Sequence, residues 1–503
     1  MRSLDPDARA RILACGVALL FAAPLLAWFD APVHRPQDEG MLLVYPELIL
    51  RGLLPHRDFL ASYPPGNFFL LALCYQLFEP SIAVERLVGL TYRVVLILGI
   101  VLLGSRRGAI TGAVCGITTA VLLQPLRLEA FSWVAGLAIL VWAVVALQAQ
   151  RRILCGALMG LALWFRLDLI LAAALIATAG MWGYRYDIRK ELGFFTLGFV
   201  SAIVPLGLYF AVISLPNAID DLIVGPVFLT GPARRLPFSS LETTSLRLLL
   251  LLGIGLVTSL LSAWRVREVA SSDRAEAFMV AGLCLGLLPQ AWQRLDADHL
   301  LYACVVVGGV FPLTLDSLMA RRMRQLPRLG LTAGIILTTA GTPAAKVAVV
   351  SLEHLVSRPH VVWLHRNERR LPARNSHEIS AFRELGSVLD ERLEPGERLF
   401  IGPTDLSRTR YSDLHLYFFF PELIPASYYL ELNPNSANRL GTRLTQDLES
   451  ADWLLLSGEW DRWNEANSSS EVGDSRPNRV VRERFDEISQ HGVWKLYRRQ
   501  EAE

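Results

Sequence analysis

Long apolar segments, separated by short polar loops, follow one another through the first 350 residues of the chain. An apolar segment of about 20 residues can cross the bilayer core as a helix, because a helix satisfies its own backbone polar groups. Scanning the sequence with a window of that length predicts about eleven transmembrane helices. They are expected near 11–29, 84–104, 108–124, 130–149, 152–165, 167–183, 193–214, 244–264, 274–291, 299–320 and 328–350.

The C-terminal region, from about residue 355, has the composition of a soluble domain. HRNERRLPARNS is expected to be a linker, and the periodicity of HEISAFRELGSVLDERL indicates a helix. RLFIGP and PASYYLEL have the pattern of strands, SDLHLYFFF fits a helix or a strand, and TRLTQDLESADWLLLSG fits a helix followed by a strand. The tail RVVRERFDEISQHGVWKLYRR is expected to form a helix and one final strand. The sequence therefore predicts a transmembrane domain at 1–354 and a small α/β domain at 355–503.

The distribution of Lys and Arg predicts the orientation of the chain. Cations cluster at 2–11, 106–107, 151–152, 185–190, 265–267 and 321–328, which all lie at one set of helix ends. Cytoplasmic loops of membrane proteins carry such an excess, so the N-terminus is expected in the cytoplasm. An odd number of crossings then places the C-terminal domain outside, provided that 66–79 does not cross. We expect 66–79 to be an interfacial or re-entrant helix within a first outer loop at 30–83.

Most of the remaining charged residues lie at the opposite, outer ends of the predicted helices. Ionisable groups are costly near hydrocarbon and often mark a functional site. We therefore expect one polar cavity on the outer face, although isolated ion pairs that fix topology are the alternative. The Pro- and Gly-rich stretch 215–243 is expected to be a loop, serving as a linker or as a lid. The charged residues are Asp38, Glu39, Arg51, His56, Arg57, Asp58, Arg127, Glu129, Arg166, Asp168, Asp220, Asp221, Arg234, Arg235, Arg294, Asp296, Asp298 and His299.

Two arginines lie seven residues apart, and so on one face of the second predicted transmembrane helix. Arg86 is near its outer end, and Arg93 is about two turns deeper. Each has two readings: a guanidinium that binds a lipid phosphate, or one that snorkels or pairs with an acid such as Glu129. The sequence favours phosphate binding for Arg86 and does not decide for Arg93.

Several other functions lose support from the sequence. It has no Gly-rich phosphate loop, no GxSxG and no HExxH motif, which disfavours nucleotide hydrolysis and serine or zinc hydrolase chemistry. The six cysteines lie in apolar segments without CxxC spacing, which is typical of small core residues. A formal net charge of +2, with the Arg excess facing the cytoplasm, argues against nucleic-acid binding.

Short motifs in the first outer loop resemble those of the GT-C glycosyltransferases. The matching features are the Asp38-Glu39 pair after the first helix, the segment from Gly52 to Phe59, the Tyr63-Pro64-Pro65-Gly66 turn and Arg86. The segment from Trp292 to His299 resembles an Arg/Asp/His signature in a late outer loop. Within this superfamily, the chain is most similar to the bacterial branch related to protein O-mannosyltransferases and to aminoarabinose transferases of lipid A.

The resemblance implies a multi-pass protein of the cytoplasmic (inner) membrane that transfers a sugar on the outer face. The donor would be a polyprenyl-phosphate-linked sugar, and the acceptor a glycan, a lipid or a protein. Asp38 would be the base of an inverting attack, with Glu39 as an orienting neighbour or the alternative base. Arg86 and Arg294 would bind the leaving phosphate, and His299 with Asp296 would help position substrate. Arg57 and Tyr63 would line the donor groove.

No cofactor is required by this scheme, and a divalent metal is compatible with it. Two other functions fit a many-helix membrane protein. A lipid or glycan transporter or flippase usually shows two matching halves, and the sequence has no convincing internal repeat. A non-catalytic envelope assembly factor would tolerate the replacement of Asp38 with Asn.

Overall fold

The computed structural model describes residues 5–184, 188–268, 271–319, 342–357 and 360–501. The chain divides into two compact units, each built from three stretches of sequence. The helical unit comprises Met1–Phe29, Leu87–Tyr209 and Phe238–Arg358. The mixed unit comprises Asp30–Arg86, Phe210–Pro237 and Pro359–Glu503.

Helices account for most of the described chain, and the strands lie in its last third. The α-helices are α1 (Pro6–Ala22), α2 (Pro36–Leu50), α3 (Gly66–Phe78), α4 (Ile82–Gly104), α5 (Ala109–Leu123), α6 (Ser132–Gln148), α7 (Arg152–Phe165), α8 (Ile170–Tyr184), α9 (Ile188–Ile213), α10 (Leu215–Ile219), α11 (Gly231–Arg234), α12 (Thr243–Arg265), α13 (Ser271–Gly286), α14 (Leu288–Gln293), α15 (Ala297–Leu318), α16 (Thr342–Ser357), α17 (Ser376–Arg392), α18 (Leu444–Glu449) and α19 (Arg476–Arg484). The strands are β1 (Trp363–Arg366), β2 (Arg369–Pro372), β3 (Arg398–Pro403), β4 (Ile424–Pro425), β5 (Trp453–Ser457), β6 (Phe485–His491) and β7 (Trp494–Arg499).

Eight helical segments within the described residues are long and apolar enough to cross a membrane. Each coincides with a predicted transmembrane helix, which confirms these eight predictions as long apolar helices. The predictions at 130–149 and 152–165 correspond to the shorter apolar helices α6 and α7. The part of the chain from 320 to 341 lies outside the described residues. It includes the cation cluster at 321–328 and the first part of the helix predicted at 328–350. The eight segments are Pro6–Trp28, Ile82–Arg107, Ala109–Leu126, Leu167–Tyr184, Leu192–Ile213, Thr243–Arg265, Ser272–Gln293 and Ala297–Leu318.

The helical unit packs through small residues, as the contact between α8 and α13 shows. A Cβ atom added to Gly183 would lie 2.4 Å from the Ala275 Cα, and one on Gly286 would lie 2.2 Å from the Ala172 Cα. Lipid tails are as apolar as the helices, so burial of apolar surface contributes little to helix association in a membrane. Close backbone approach at glycine and alanine supplies van der Waals contact instead.

The mixed unit contains a five-stranded sheet with the order β4-β3-β5-β7-β6. β3 runs parallel to β4 and β5, whereas β7 is antiparallel to both β5 and β6. All five residues of β5 are buried, as expected for a central strand covered on both faces. The α/β domain predicted for the C-terminal region is therefore present.

Four local predictions differ from the structure. The expected linker HRNERRLPARNS overlaps an antiparallel pair of strands, β1 and β2. The expected loop at 215–243 is helical over Leu215–Arg234, including a π-helix at Asp220–Thr230. The tail forms two strands, because Gly492 adopts a positive φ of 58° and reverses the chain between β6 and β7. Only Ile424–Pro425 of the region around PASYYLEL is a strand.

Residues 426–432 do not continue β4 because side chains bind their backbone amides. Asp447 Oδ2 accepts a hydrogen bond from the Tyr428 amide at 2.9 Å. Gln37 Oε1 accepts one from the Leu432 amide at 3.1 Å. The Tyr428 carbonyl in turn accepts from the Leu60 amide at 2.7 Å. These bonds replace a strand ladder with contacts to the first loop and to Asp447.

Helix α2 packs against the 3-10 helix Leu414–Phe419 in the mixed unit. Gly40, directly after the acidic pair, lies at this contact. A Cβ atom there would come within 2.4 Å of the His415 backbone nitrogen, closer than real side chains approach. The glycine in the sequence DEG is thus required by packing, and the SDLHLYFFF segment supplies its partner.

Candidate functional site

The acidic pair lies in the first turn of α2, in the mixed unit. Pro36 opens this helix, where its fixed φ and missing amide hydrogen are favourable. Carboxylates in the first turn are stabilised by the helix dipole. Adjacent residues of a helix point in directions about 100° apart, so the two acids have different surroundings. The Asp38 side chain is 31% exposed and lies 3.9 Å from Arg35, whereas the Glu39 side chain is fully buried.

Glu39 is bound by Arg86. The Arg86 Nε and Nη2 donate to Glu39 Oε1 at 2.9 and 2.7 Å, and Nη1 donates to the Ala31 carbonyl at 2.7 Å. Both side chains are almost completely buried. Of the two acids, Asp38 is therefore the one that a substrate can reach, and Glu39 has the position of an orienting neighbour. To bind a phosphate, Arg86 would have to exchange these partners.

The residue before the acids, Gln37, joins α2 to the C-terminal region. Its side-chain oxygen accepts hydrogen bonds from the Ser412 and Leu432 amides at 2.9 and 3.1 Å. Its Nε2 donates to Asn433 Oδ1 at 3.3 Å. Because Gln37 is buried and bound at both ends of its amide, it fixes the rotation of α2 and hence the direction of Asp38.

A buried acid from the C-terminal region, Glu431, contacts the same part of the first loop. Its Oε1 accepts from the Tyr45 hydroxyl and from the Ser62 amide, both at 3.1 Å. Burial, together with a smaller contribution from the Asp38 charge, raises the pKa of Glu431 to about 7, against the lowering effect of the hydrogen bonds from Ser62 and Tyr45. Asp38 is partly exposed and Glu431 is buried, and two carboxyl groups in such different environments are typical of acid–base sites. The sequence analysis missed Glu431, because nothing in SYYLEL marks an acid that packs against a distant loop.

Glu431 is expected to make the protein less stable as the pH rises. The folded protein binds its proton up to about pH 7, whereas the unfolded chain releases it near 4.5. The folded state thus holds more protons in that interval, and stability falls by roughly 3 kcal/mol across it. Glu431→Gln should remove this dependence, as measured by the unfolding of purified protein at pH 5 and pH 8. Glu449→Gln, which replaces an exposed acid of α18, is the control, and an unchanged pH dependence in Glu431→Gln would contradict the assignment.

A second buried cluster joins the first loop to the π-helix. Asp221 Oδ2 accepts from the His56 Nδ1–H at 3.0 Å and from the Tyr428 hydroxyl at 2.7 Å. His56 is fully buried and has a φ of 66°, a conformation that is uncommon outside glycine. The Asp220-Asp221 pair was expected to belong to a linker or lid, yet Asp221 is a buried anchor for His56. Only the adjacency of two acids in an apolar stretch signals this in the sequence.

Arg57 and Tyr63 belong to the first loop, as expected, but they differ in setting. The Arg57 guanidinium is half-exposed and donates to Asp58 Oδ2 at 2.7 and 2.9 Å and to the Gly52 carbonyl at 3.1 Å. Tyr63 is partly buried in a bend before α3. Both side chains are at least partly exposed to solvent.

The late Arg/Asp/His segment lies in the helical unit, at the start of α15. Asp296 is the N-cap of this helix and accepts from the His299 amide at 2.8 Å. Its carboxylate also contacts His299 Nδ1 at 2.7 Å and Arg294 Nε at 2.5 Å. Burial alone would raise the pKa of Asp296, but the hydrogen bonds and charges of His299 and Arg294 outweigh it and lower that pKa. Three predicted site residues thus form one cluster, and Asp296 also caps the helix.

Arg93 has a structural role in the helical unit. Its guanidinium is fully buried and donates to the carbonyls of Gly89, Leu126 and Glu129 at 2.8, 2.6 and 3.1 Å. The expected pairing with Glu129 therefore involves the backbone carbonyl of that residue. These bonds hold the turn that follows α5 against α4, and they account for a charged residue deep in an apolar helix.

The predicted site residues fall into two groups. Asp38, Glu39, Arg57, Tyr63 and Arg86 belong to the mixed unit, which adds His56, Asp221 and Glu431 to them, whereas Arg294, Asp296 and His299 belong to the helical unit. The described residues contain no group of three or more His, Cys, Asp or Glu side chains that suits a metal ion.

Comparison with known proteins identifies the fold. No family model matches the sequence, and no curated protein matches it. The structure of ArnT from Cupriavidus metallidurans bound to undecaprenyl phosphate matches with a TM-score of 0.56 at 12% identity, over 97% of each chain. The apo state of the same protein matches with a TM-score of 0.55 at 15% identity, over 96% of this chain and 98% of that one.

ArnT is a lipid A aminoarabinose transferase of the GT-C class, one of the groups to which the motifs of the first loop were compared. The match extends through the membrane helices and the C-terminal α/β region alike, since almost the whole of both chains is covered. The predicted polytopic helical fold, with its small C-terminal domain, is therefore confirmed, and it is the fold of ArnT.

Proposed function

We propose that this chain, which has the fold of ArnT, is a membrane glycosyltransferase that uses a polyprenyl-phosphate-linked sugar. The reaction takes place on the outer face of the cytoplasmic membrane, and the acceptor is a glycan, a lipid or a protein. The observation that supports this proposal most strongly is the fold match over nearly the whole chain, combined with a reachable Asp38 at the start of α2.

In the proposed reaction, Asp38 is the general base. Its carboxylate takes the proton of an acceptor hydroxyl as that oxygen attacks the anomeric carbon of the donor. The bond between this carbon and the phosphate oxygen breaks, and the bonding electrons leave with the lipid phosphate. Glu39 is fully buried and bound by Arg86, so we assign it an orienting role.

The leaving phosphate gains negative charge in the transition state, and nearby cations stabilise it. Arg294 is our candidate for this role, with Arg86 contributing if it exchanges Glu39 for phosphate. Asp296 fixes the Arg294 guanidinium and the His299 ring, and we propose that His299 positions substrate. Arg57 and Tyr63 are proposed to contact the donor, since both reach solvent in the loop that follows α2.

A transfer assay tests the proposal directly. Membranes that contain the protein are incubated with labelled undecaprenyl-phosphate sugars, and the label is followed into glycan, lipid and protein fractions. We expect label to move to one fraction and free undecaprenyl phosphate to appear in equal amount. Movement of intact donor across the bilayer without release of undecaprenyl phosphate would instead identify a flippase, and it would refute the proposed reaction.

A further inference from the structure

The sheet of the mixed unit has a crevice at the carboxyl ends of its parallel strands. β3 and β5 are adjacent and parallel, with Pro403 opposite Ser457. The chain leaves β3 towards β4 at one edge of the sheet, and it leaves β5 towards β6 at the other edge. Loops that depart in opposite directions from adjacent parallel strands leave a crevice between them, which is where open α/β sheets bind ligands.

A cavity of about 210 Å³ lies in this crevice. It is smaller than the cavities of drug-sized ligands, which measure about 300–1,000 Å³, so a small molecule fits it. Residues after β3 supply one wall and residues after β5 the other. The lining residues are Pro403, Thr404, Asp405, Arg408, Arg410, Trp460 and Asp461.

Arg410 is held rigidly at the wall of this cavity. It is 5% exposed, and its Nη1 donates to the carbonyls of Trp460, Asp461 and Trp463. Its Nη2 makes no hydrogen bond to a residue in the described part of the chain, and its Nε is buried without a hydrogen-bond partner there. A guanidinium that is fixed through one nitrogen and has N–H groups without a protein partner on the other two is pre-organised to bind an anion.

Arg408 brings a second guanidinium to the same cavity. Its side chain is 42% exposed and lies 3.7 Å from Asp405. Burial, and then the charge of Arg408, lower the pKa of Arg410, so the two cations repel each other. The charges of Asp405 and Asp461 offset this repulsion in part. Asp405 Oδ1 accepts from Ser407 and Asn478, and Asp461 Oδ1 accepts from Thr404.

Trp460 adds an aromatic residue to the lining of the cavity. Its indole N–H donates to Asp413 Oδ1 at 3.2 Å, and its ring packs against Tyr411 with a centroid distance of 5.2 Å. The ring is thereby held in one orientation. A ligand with both a negative charge and a compact face of C–H groups would use the arginines and this ring together.

We propose that this crevice binds a small anionic sugar, with its carboxylate or phosphate on Arg408 and Arg410 and its ring against Trp460. This site is formed by the C-terminal region alone and is separate from the acids of α2. It gives that region a recognition function beside the proposed transfer reaction.

Calorimetric binding to the purified full-length protein in detergent tests this site. The probes are glucose 6-phosphate and glucuronate, with neutral glucose and inorganic phosphate for comparison. We expect saturable binding of at least one anionic sugar, tighter than that of glucose or phosphate. Arg408→Ala should weaken it about tenfold or more, the value of one charge-assisted hydrogen bond. Arg408 is preferred to Arg410 because it makes few contacts within the fold.

Two control variants make the result decisive. Arg482→Ala removes an exposed arginine of α19, and Asp38→Asn changes the proposed transfer site. Both should bind the sugar as tightly as the wild type, so failure of the transfer proposal leaves this one standing. The proposal is overturned if neither anionic sugar binds saturably. It is also overturned if inorganic phosphate binds as tightly as the sugars, or if Arg408→Ala binds like the wild type.

Discussion

Replacement of Asp38 with Asn is expected to lower sugar transfer by about 10²–10⁴-fold, the usual contribution of a general base. The amide has nearly the same shape as the carboxylate but cannot accept the proton of the acceptor hydroxyl. Asp38 is partly exposed, and its nearest cation is 3.9 Å away, so the fold should be unaffected. The measurement is the initial rate of transfer from an undecaprenyl-phosphate sugar, together with the melting temperature of the purified variant.

Asp30→Asn is the matched control for this experiment. Asp30 is an exposed acid eight residues earlier, in the same loop, and its replacement should leave the rate close to that of the wild type. If Asp38→Asn forms product as fast as Asp30→Asn, Asp38 is not the base. Loss of activity accompanied by a large fall in melting temperature would also count against the assignment, because it would indicate a structural role.

Replacement of Arg86 with Met is expected to destabilise the protein by about 3–5 kcal/mol, because it leaves the buried Glu39 carboxylate without its cation. Methionine keeps much of the length and volume of the arginine side chain. The lost bonds include the two to Glu39 and the one to the Ala31 carbonyl. Chemical denaturation of the purified protein, followed by tryptophan fluorescence, measures the change in unfolding free energy.

Two further variants isolate the buried pair. Glu39→Gln combined with Arg86→Met removes both charges, and it should recover part of the stability lost in Arg86→Met. Arg57→Met breaks a half-exposed ion pair with Asp58, which should cost less than about 1 kcal/mol. If Arg86→Met is no more destabilised than Arg57→Met, the pair does not hold α2 in place. Glu39 would then not be an orienting residue.

The membrane fold was predictable because its signal is local. Eight predicted transmembrane helices coincide with long apolar helices, since a crossing helix needs about 20 consecutive apolar residues. Helix α17 and strands β3 and β5 were also evident from their periodicity. The strand expected at PASYYLEL was wrong because side chains from outside it bind its backbone amides: Asp447, 19 residues from Tyr428, and Gln37, 395 residues from Leu432.

The candidate site was only partly predictable, because some of its contacts join residues that lie apart in the sequence. Asp38, Arg86 and Asp221 stand out because charge is rare beside apolar segments, although the contact of Asp221 with His56 required the structure. Glu431 does not stand out, since its importance depends on contacts with Tyr45 and Ser62. The distinction between a reachable Asp38 and an enclosed Glu39 also required the structure. Two adjacent acids cannot be distinguished from the sequence alone. Only the structure shows that Arg86 binds one of them.

The hydrogen bond between Gln37 and Asn433 joins residues 396 positions apart, which has a consequence for biosynthesis. The ribosome releases the N-terminal part of the chain first, so α2 is made long before the segment that fixes its rotation exists. Nascent chains that stop short of residue 412 should carry the acidic helix without any of the three partners of Gln37. Catalytic competence would then arrive only at the end of translation, and a prematurely terminated product would be inert in the membrane.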